Sequence, residues 1–383
     1  MPLRQSSVLP SISIFRKPEL NTRMTKRTFA HILLEWYREN RRPLPWRETR
    51  DPYAIWLSEI ILQQTRIEQG QPYWERFMSR WPRVEQLAAA SEDEVLREWQ
   101  GLGYYSRARN LHAAARQIVA MGHFPDTFEE IRKLKGVGDY TAAAIASFAF
   151  DIPAVVVDGN VCRVLSRYFG ITTPINTTEG KKEITAMASE VASQPLIPAE
   201  APTRSHSDYN QAIMDFGALQ CTPRSPRCYD CPLNDECNAF LTNRVNQLPV
   251  KLRKLKIRER RLEYLYIRHK DTATGQTFIA IRRRNAADIW RGLWEPVLLV
   301  DDGTEKLPHD VVCQLRQQSV KILGNVRHVL THRVIIADFY LMQTTDRPSL
   351  PLDYQWICEE DFEDYGKPRL IENLTNNSLD LFV

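Results

Sequence analysis

The chain runs to 383 residues, a length that favours two domains. Hydrophobic residues make up 43 % and charged residues 26 %, ordinary values for a globular protein, and no apolar run is long enough for a membrane span. The formal net charge of +4 is too small to mark a nucleic-acid binder unless the positive side chains share one face.

Residues 1–24 are polar and marked by Pro2, Pro10 and Pro18. They lack an apolar core followed by a small-residue cleavage site, so a disordered leader is expected rather than a secretory signal. Residues 25–245 read as helical. Apolar residues recur at helical spacing in Phe29–Tyr37, Ala54–Gln64, Val84–Trp99, Ala108–Ala120 and Tyr140–Phe150. The joints between them are short and carry Gly101, Gly103, Pro125, Gly136 or Gly138. Strand alternation is scarce here, which predicts an all-α domain.

Glu59 lies inside Trp56-Leu57-Ser58-Glu59-Ile60-Ile61-Leu62, an apolar stretch that implies burial. A buried carboxyl has a raised pKa and can remain protonated near neutral pH, as a general acid must. Leu134-Lys135-Gly136-Val137-Gly138 then precedes a helix. Two glycines separated by one residue permit a tight turn with exposed backbone N–H groups. The helix N-terminus behind it favours a phosphate. Roughly twenty residues further on, Val155-Val156-Val157-Asp158-Gly159-Asn160 puts an acid at the end of an apolar segment. Alone, Asp158 reads as a helix N-cap. Two carboxyls in unlike environments are also what glycosidic bond cleavage uses.

Four cysteines, Cys221, Cys228, Cys231 and Cys237, fall within seventeen residues, while Cys162, Cys313 and Cys358 stand alone. In a reducing compartment such clustering favours a metal centre over disulfides. A four-thiolate zinc site usually shows two separated C-x2-C pairs, and ferredoxins use other spacings. The spacing by itself leaves the metal open. Arg224 and Arg227 sit between these cysteines and are expected on an exposed, phosphate-facing loop.

Residues 246–261 form a basic linker with Lys251, Arg253, Lys254, Lys256, Arg258, Arg260 and Arg261, either a solvated connection or a strap along DNA. Residues 262–383 read as a smaller α+β domain. Strands are expected at Leu262–Arg268, Thr277–Arg282, Val297–Val300 and Val334–Gln343, with a helix over Pro308–Gln318.

Taken together, these segments resemble the MutY family of adenine DNA glycosylases, within the endonuclease III or helix-hairpin-helix superfamily. The resemblance rests on Arg41–Arg47 (RRPLPWR), Ser58–Ile67 (SEIILQQTRI), Gly101–His112 (GLGYYSRARNLH), Leu134–Ala142 (LKGVGDYTA), Val157–Val161 (VDGNV), Tyr209–Ala218 (YNQAIMDFGA) and the cysteine loop. It implies a helix-hairpin-helix glycosylase domain carrying a 4Fe–4S cluster on the four cysteines. It implies a monomer that acts on double-stranded DNA holding adenine opposite 8-oxoguanine or guanine, in the bacterial cytoplasm at the nucleoid. By this resemblance Glu59 protonates adenine N7, Asp158 stabilises the sugar cation, and Tyr140 and Asn160 hold the two acids. Arg42, Leu44, Trp46, Arg47 and Gln211 line the base pocket. Gln64, Thr65 and Tyr104 probe the stack and the opposite base, and Gly136, Val137 and Gly138 bind the DNA backbone. Bifunctional relatives carry a lysine where this chain has Tyr140. A phenol forms no Schiff base, so a monofunctional enzyme is expected.

The tail, with Arg282-Arg283-Arg284 and Trp290-Arg291-Gly292-Leu293-Trp294-Glu295, resembles the MutT-like (Nudix-fold) domain of the same family. The glutamate-rich helix of a Nudix hydrolase is missing, so a lesion-checking role is implied instead. The resemblance implies that Leu330-Thr331-His332 is the matching turn, with Thr331 the hydrogen-bonder to the lesion. Many relatives have Phe and Ser where Leu330 and Thr331 stand, so the hydroxyl is kept and the ring is not.

Overall fold

Helix starts in the first half carry their own chemical signals. Thr28 caps α1 (Phe29–Asn40) by accepting from the His31 N–H at 3.3 Å. Asp51 caps α2 (Pro52–Leu62), whose first residue is proline, accepting from Tyr53. After α3 (Ile67–Arg80), the segment expected as one helix is two, α4 (Val84–Ala89) and α5 (Glu92–Glu98). The break lies at Ser91, which forms a reciprocal capping box with Glu94. The chain continues through α6 (Ser106–Met121), α7 (Phe128–Arg132), α8 (Asp139–Phe150), α9 (Gly159–Phe169), α10 (Thr178–Ser193), α11 (His206–Asp215) and α12 (Asn238–Leu241). This computed structural model describes residues 28–193, 206–252, 258–285, 288–302, 307–330 and 333–377. The leader at 1–24, Arg253, Lys254 and Lys256 of the linker, and Thr331 and His332 lie outside the described residues.

The second half holds β1 (Arg258–Lys270), β2 (Thr277–Arg283), β3 (Trp294–Asp301), α13 (His309–Gln317), β4 (Val320–Val329), β5 (Arg333–Thr344), β6 (Tyr354–Cys358) and α14 (Arg369–Asn377). The sheet order is β4-β5-β1-β3-β2-β6, with β1 parallel to β5 and antiparallel to β3. β1 begins at Arg258, inside the stretch read as linker, because Arg258 already pairs with Arg333. Arg260 is buried between Asp301, at 2.6 Å, and Asp288, so it is committed to the sheet and not to a DNA strap.

Three cores result. Along β1, Leu262, Tyr264 and Tyr266 face one side, and Leu265 and Ile267 face the other, as the pleat requires. The first side shares a continuous apolar cluster with α2, α5, α6, α8 and α14. The second packs on α13. A separate cluster joins α1, α9, α10 and α11. Residues of α2, from the first cluster's helices, and of α11, from this last one's, line a common pocket.

Candidate active site

Every residue of α2 from Tyr53 to Ile61 is buried, Glu59 among them at 7 % exposure. Glu59 meets one wall of a cavity of about 310 Å³ whose lining includes Arg42, Leu44, Trp46, Arg47 and Gln211. Pockets of a few hundred Å3 are the ordinary size for a small, flat ligand. Burial pushes the Glu59 carboxyl up to about 7, against the pull of the Tyr140 hydroxyl and Arg47. Tyr140 sits in the first turn of α8, behind the hairpin, and its Oη donates to Glu59 Oε2 at 3.2 Å.

Asp158 is the N-cap of α9, as its position suggested, and its Oδ1 accepts from the Val161 N–H at 2.7 Å. Its Oδ2 accepts from Asn160 Nδ2 at 2.7 Å. Burial raises the Asp158 pKa while these donors and Arg163 oppose it. Asp158 and Tyr140 line a broader groove of about 1110 Å³, and the Asp158 charge adds to the upward shift of Glu59. The two acids, separated by 99 positions in the chain, therefore belong to one electrostatic unit. Tyr140 connects them, lining the groove with Asp158 and bonding Glu59 through its hydroxyl.

Sequence reasoning missed the groups that fix this arrangement. Asp215 is fully buried and holds both Arg42 (Nε–Oδ1, 2.8 Å) and Arg47 (Nη1–Oδ2, 2.7 Å). Both arginines line the pocket as expected, but their guanidinium groups are already paired. Asp215 lies in the matched segment Tyr209–Ala218, where its burial between apolar residues was the available signal. Gln211 also has partners. Its Oε1 accepts from Tyr37 Oη at 3.0 Å, and its Nε2 donates to Ser207 Oγ at 2.8 Å. Among the described residues one Gln211 lone pair and one N–H remain without a partner, in fixed orientation. Arg163 donates to Asn160 Oδ1 (2.8 Å), Gly217 O (2.6 Å) and Cys221 O (2.7 Å), which ties Asn160 to the start of the cysteine loop.

The hairpin is a tight turn, with Val137 N–H donating to Leu134 O at 3.1 Å and Gly136 at φ +81°. A Cβ on Gly136 would lie 2.7 Å from Asn110 Cβ, so glycine is needed here for space as well as conformation. Gln64 and Tyr104 are both exposed and both left-handed, at φ 57° and 48°. Thr65 Oγ1 donates weakly to Gln63 O at 3.4 Å. Tyr104 also borders a cleft of about 560 Å³ between the helical and sheet domains, with Arg109, Asp288, Trp290, Leu330 and Arg333. Leu330 and Arg333 are the described residues on either side of Thr331 and His332.

The four cysteines line one small hollow together with Arg167 and Gln220. Arg167 Nη1 reaches Cys221 Sγ at 3.4 Å and Thr222 O at 2.8 Å. Burial pushes the Cys231 thiol up to about 12, so a thiolate there requires a cation beside it. Among the described residues, no three His, Cys, Asp or Glu side chains converge on a point that a single ion would occupy. Arg224 and Arg227 are exposed on this loop, with Arg227 also bonded to Gln220.

Comparison with known proteins adds to this geometry. Residues 57–192 match the HhH-GPD superfamily of base excision DNA repair proteins, and residues 264–377 match the NUDIX domain. The chain is 32 % identical to an adenine DNA glycosylase of Buchnera aphidicola subsp. Baizongia pistaciae, over 81 % of this chain and 84 % of that one. It is also 32 % identical to an adenine DNA glycosylase of Mus musculus, over 87 % and 74 % respectively. Among solved structures, a thermostable thymine-DNA glycosylase aligns with a TM-score of 0.50 and 30 % identity, covering 56 % of this chain and 95 % of that one.

Proposed function

The chain belongs to the adenine DNA glycosylase family, and from that premise we propose that it removes adenine mispaired with 8-oxoguanine or guanine, by a monofunctional, retaining-type mechanism. It is an N-glycosylase of base excision repair acting on DNA. The observation that carries the mechanism is the buried Glu59 carboxyl at the pocket wall, poised near neutral pH and bonded to Tyr140.

The glycosidic bond is out of reach inside the base stack, so the adenosine must rotate out into the pocket. Glu59, held protonated by its surroundings, gives its proton to N7 and turns adenine into a neutral leaving group. Backbone and amide N–H groups point at both Asp158 oxygens and favour its charged form, against the burial that opposes it. Asp158 faces the positive charge that grows on the sugar. Glu59, now a carboxylate, takes the proton from the incoming water. Acid–base help of this kind is worth about 10²–10⁴-fold per group. Tyr140 donates a hydrogen bond and offers no amine, so the sugar leaves as an abasic site and not as a cut strand.

The cleft beside Tyr104 supports reading of the opposite base by the sheet domain through Thr331 and His332. The domain limits 25–245 and 262–383, a monomeric state and a cytoplasmic location remain parts of this proposal. The four cysteines fit a 4Fe–4S cluster: four thiols around one hollow, with buried Arg167 bonded to Cys221 Sγ. Bound there, the cluster supplies four metal–thiolate bonds to a loop with little apolar content, and the capacity to exchange an electron. Brown colour with visible absorbance, lost in Cys231→Ser, tests it against zinc.

The functional test is a duplex carrying adenine opposite 8-oxoguanine. Strand breakage only after alkali is expected. Breakage without alkali would point to a lyase of the thymine-glycol type, and no base release at all to a DNA-binding protein without catalysis.

A further inference from the structure

Arg107 is an arginine buried to 9 % exposure. Among the described residues no carboxylate forms an ion pair with it. A buried cation without a counter-ion is costly, and its persistence points to a use. Its Nη1 donates to Ile60 O (3.1 Å), Ile61 O (2.8 Å) and Gln63 O (2.7 Å). These are carbonyls of the last turn of α2 and its cap, groups that lack helical partners and carry the negative end of the helix dipole. Its Nη2 donates to Thr65 Oγ1 (3.2 Å), Gly103 O (3.3 Å) and, at 3.5 Å, Leu102 O. The guanidinium also lies 5.0 Å from the Trp99 ring centroid and 5.8 Å from that of Tyr104. Among the described residues Nε has no hydrogen-bond partner.

One planar group therefore holds two loops that are distant in sequence. The first follows the Glu59 helix and carries Gln64; the second carries Tyr104. Both residues sit in the left-handed region that side chains other than glycine rarely adopt, so each turn is strained and needs holding. We propose that Arg107 is a positioning residue that locks the Gln64 and Tyr104 turns to each other and to the end of the catalytic helix, so that engagement of the base stack and alignment of Glu59 form a single event. The role rests on the adenine-removal reading. The two turns are bridged through a fork of donors, so lysine, a point donor, cannot replace it.

The test is a double-mutant cycle of Arg107→Lys and Tyr104→Ala. Duplex binding, stacking and single-turnover adenine release are each read. Stacking is reported by 2-aminopurine placed next to the mismatch, which needs no catalysis. Arg107→Lys should lower adenine release about 100-fold at saturating enzyme, the order expected for misplacement by about 1 Å, and should erase the unstacking signal. Added to Tyr104→Ala it should change the 2-aminopurine signal less than two-fold. Independent, multiplicative effects of the two substitutions on that signal, or wild-type unstacking in Arg107→Lys, would overturn the proposal. Thr65→Val removes one acceptor and leaves the guanidinium, and should shift the signal in the same direction, less far. If Arg107→Lys does not fold, an unchanged signal in Thr65→Val overturns the role. A wild-type chain that unstacks the duplex but releases no adenine would instead count against the proposed function.

Discussion

Replacing Glu59 by glutamine should stabilise the protein, and more so at alkaline pH. The carboxyl is pushed from an ordinary 4.5 up to about 7. The folded protein thus binds a proton that the unfolded chain has released between those two values, and stability falls as pH rises across that window. Each pKa unit corresponds to about 1.36 kcal/mol. The full shift then destabilises the folded state by about 3 kcal/mol above pH 7, and by under about 1 kcal/mol at pH 5. Glutamine is neutral throughout and its amide oxygen can still accept from Tyr140. Urea unfolding followed by tryptophan fluorescence should therefore show Glu59→Gln gaining about 2–2.5 kcal/mol more over wild type at pH 8 than at pH 5. The difference cancels every titrating group that the substitution leaves alone. An equal difference at both values would mean that Glu59 is not held in the protonated form, and the general-acid assignment would lose its basis.

Asp215→Asn leaves Arg42 and Arg47 facing a buried amide, so unfolding should come about 3–5 kcal/mol more easily, seen as a large drop in the thermal midpoint. Gly136→Ala places a methyl against Asn110 at φ +81°; DNA affinity in gel-shift assays should fall several-fold on matched and mismatched duplexes alike, because the hairpin holds the backbone and reads no base. Tyr140→Phe removes the hydrogen bond that lowers the Glu59 pKa, so the alkaline fall in cleavage rate should move to higher pH.

The parts most readable in the sequence are those whose signal is local. Glu59 stood out because a charge sat in an apolar helix, and Asp158 because an acid ended a valine run. The split between α4 and α5 was also local: Ser91 and Glu94 spell a capping box that a long periodic pattern obscured. What stayed hidden depends on tertiary partners. Arg107, Arg163 and Asp215 acquire meaning only through groups tens of residues away. β4 was missed because an edge strand is largely exposed and shows little alternation. Arg260 read as linker because one strand end looks like any other basic run until Asp301 is placed beside it.

The pH dependence of single-turnover adenine release from a duplex with adenine opposite 8-oxoguanine bears most directly on the paired carboxyls. With Glu59 as the acid, release should be fast below neutral and decline tenfold per unit well above pH 7, and Glu59→Gln should lie flat near zero. A wild-type rate that holds level or climbs between pH 7 and 9 would contradict it.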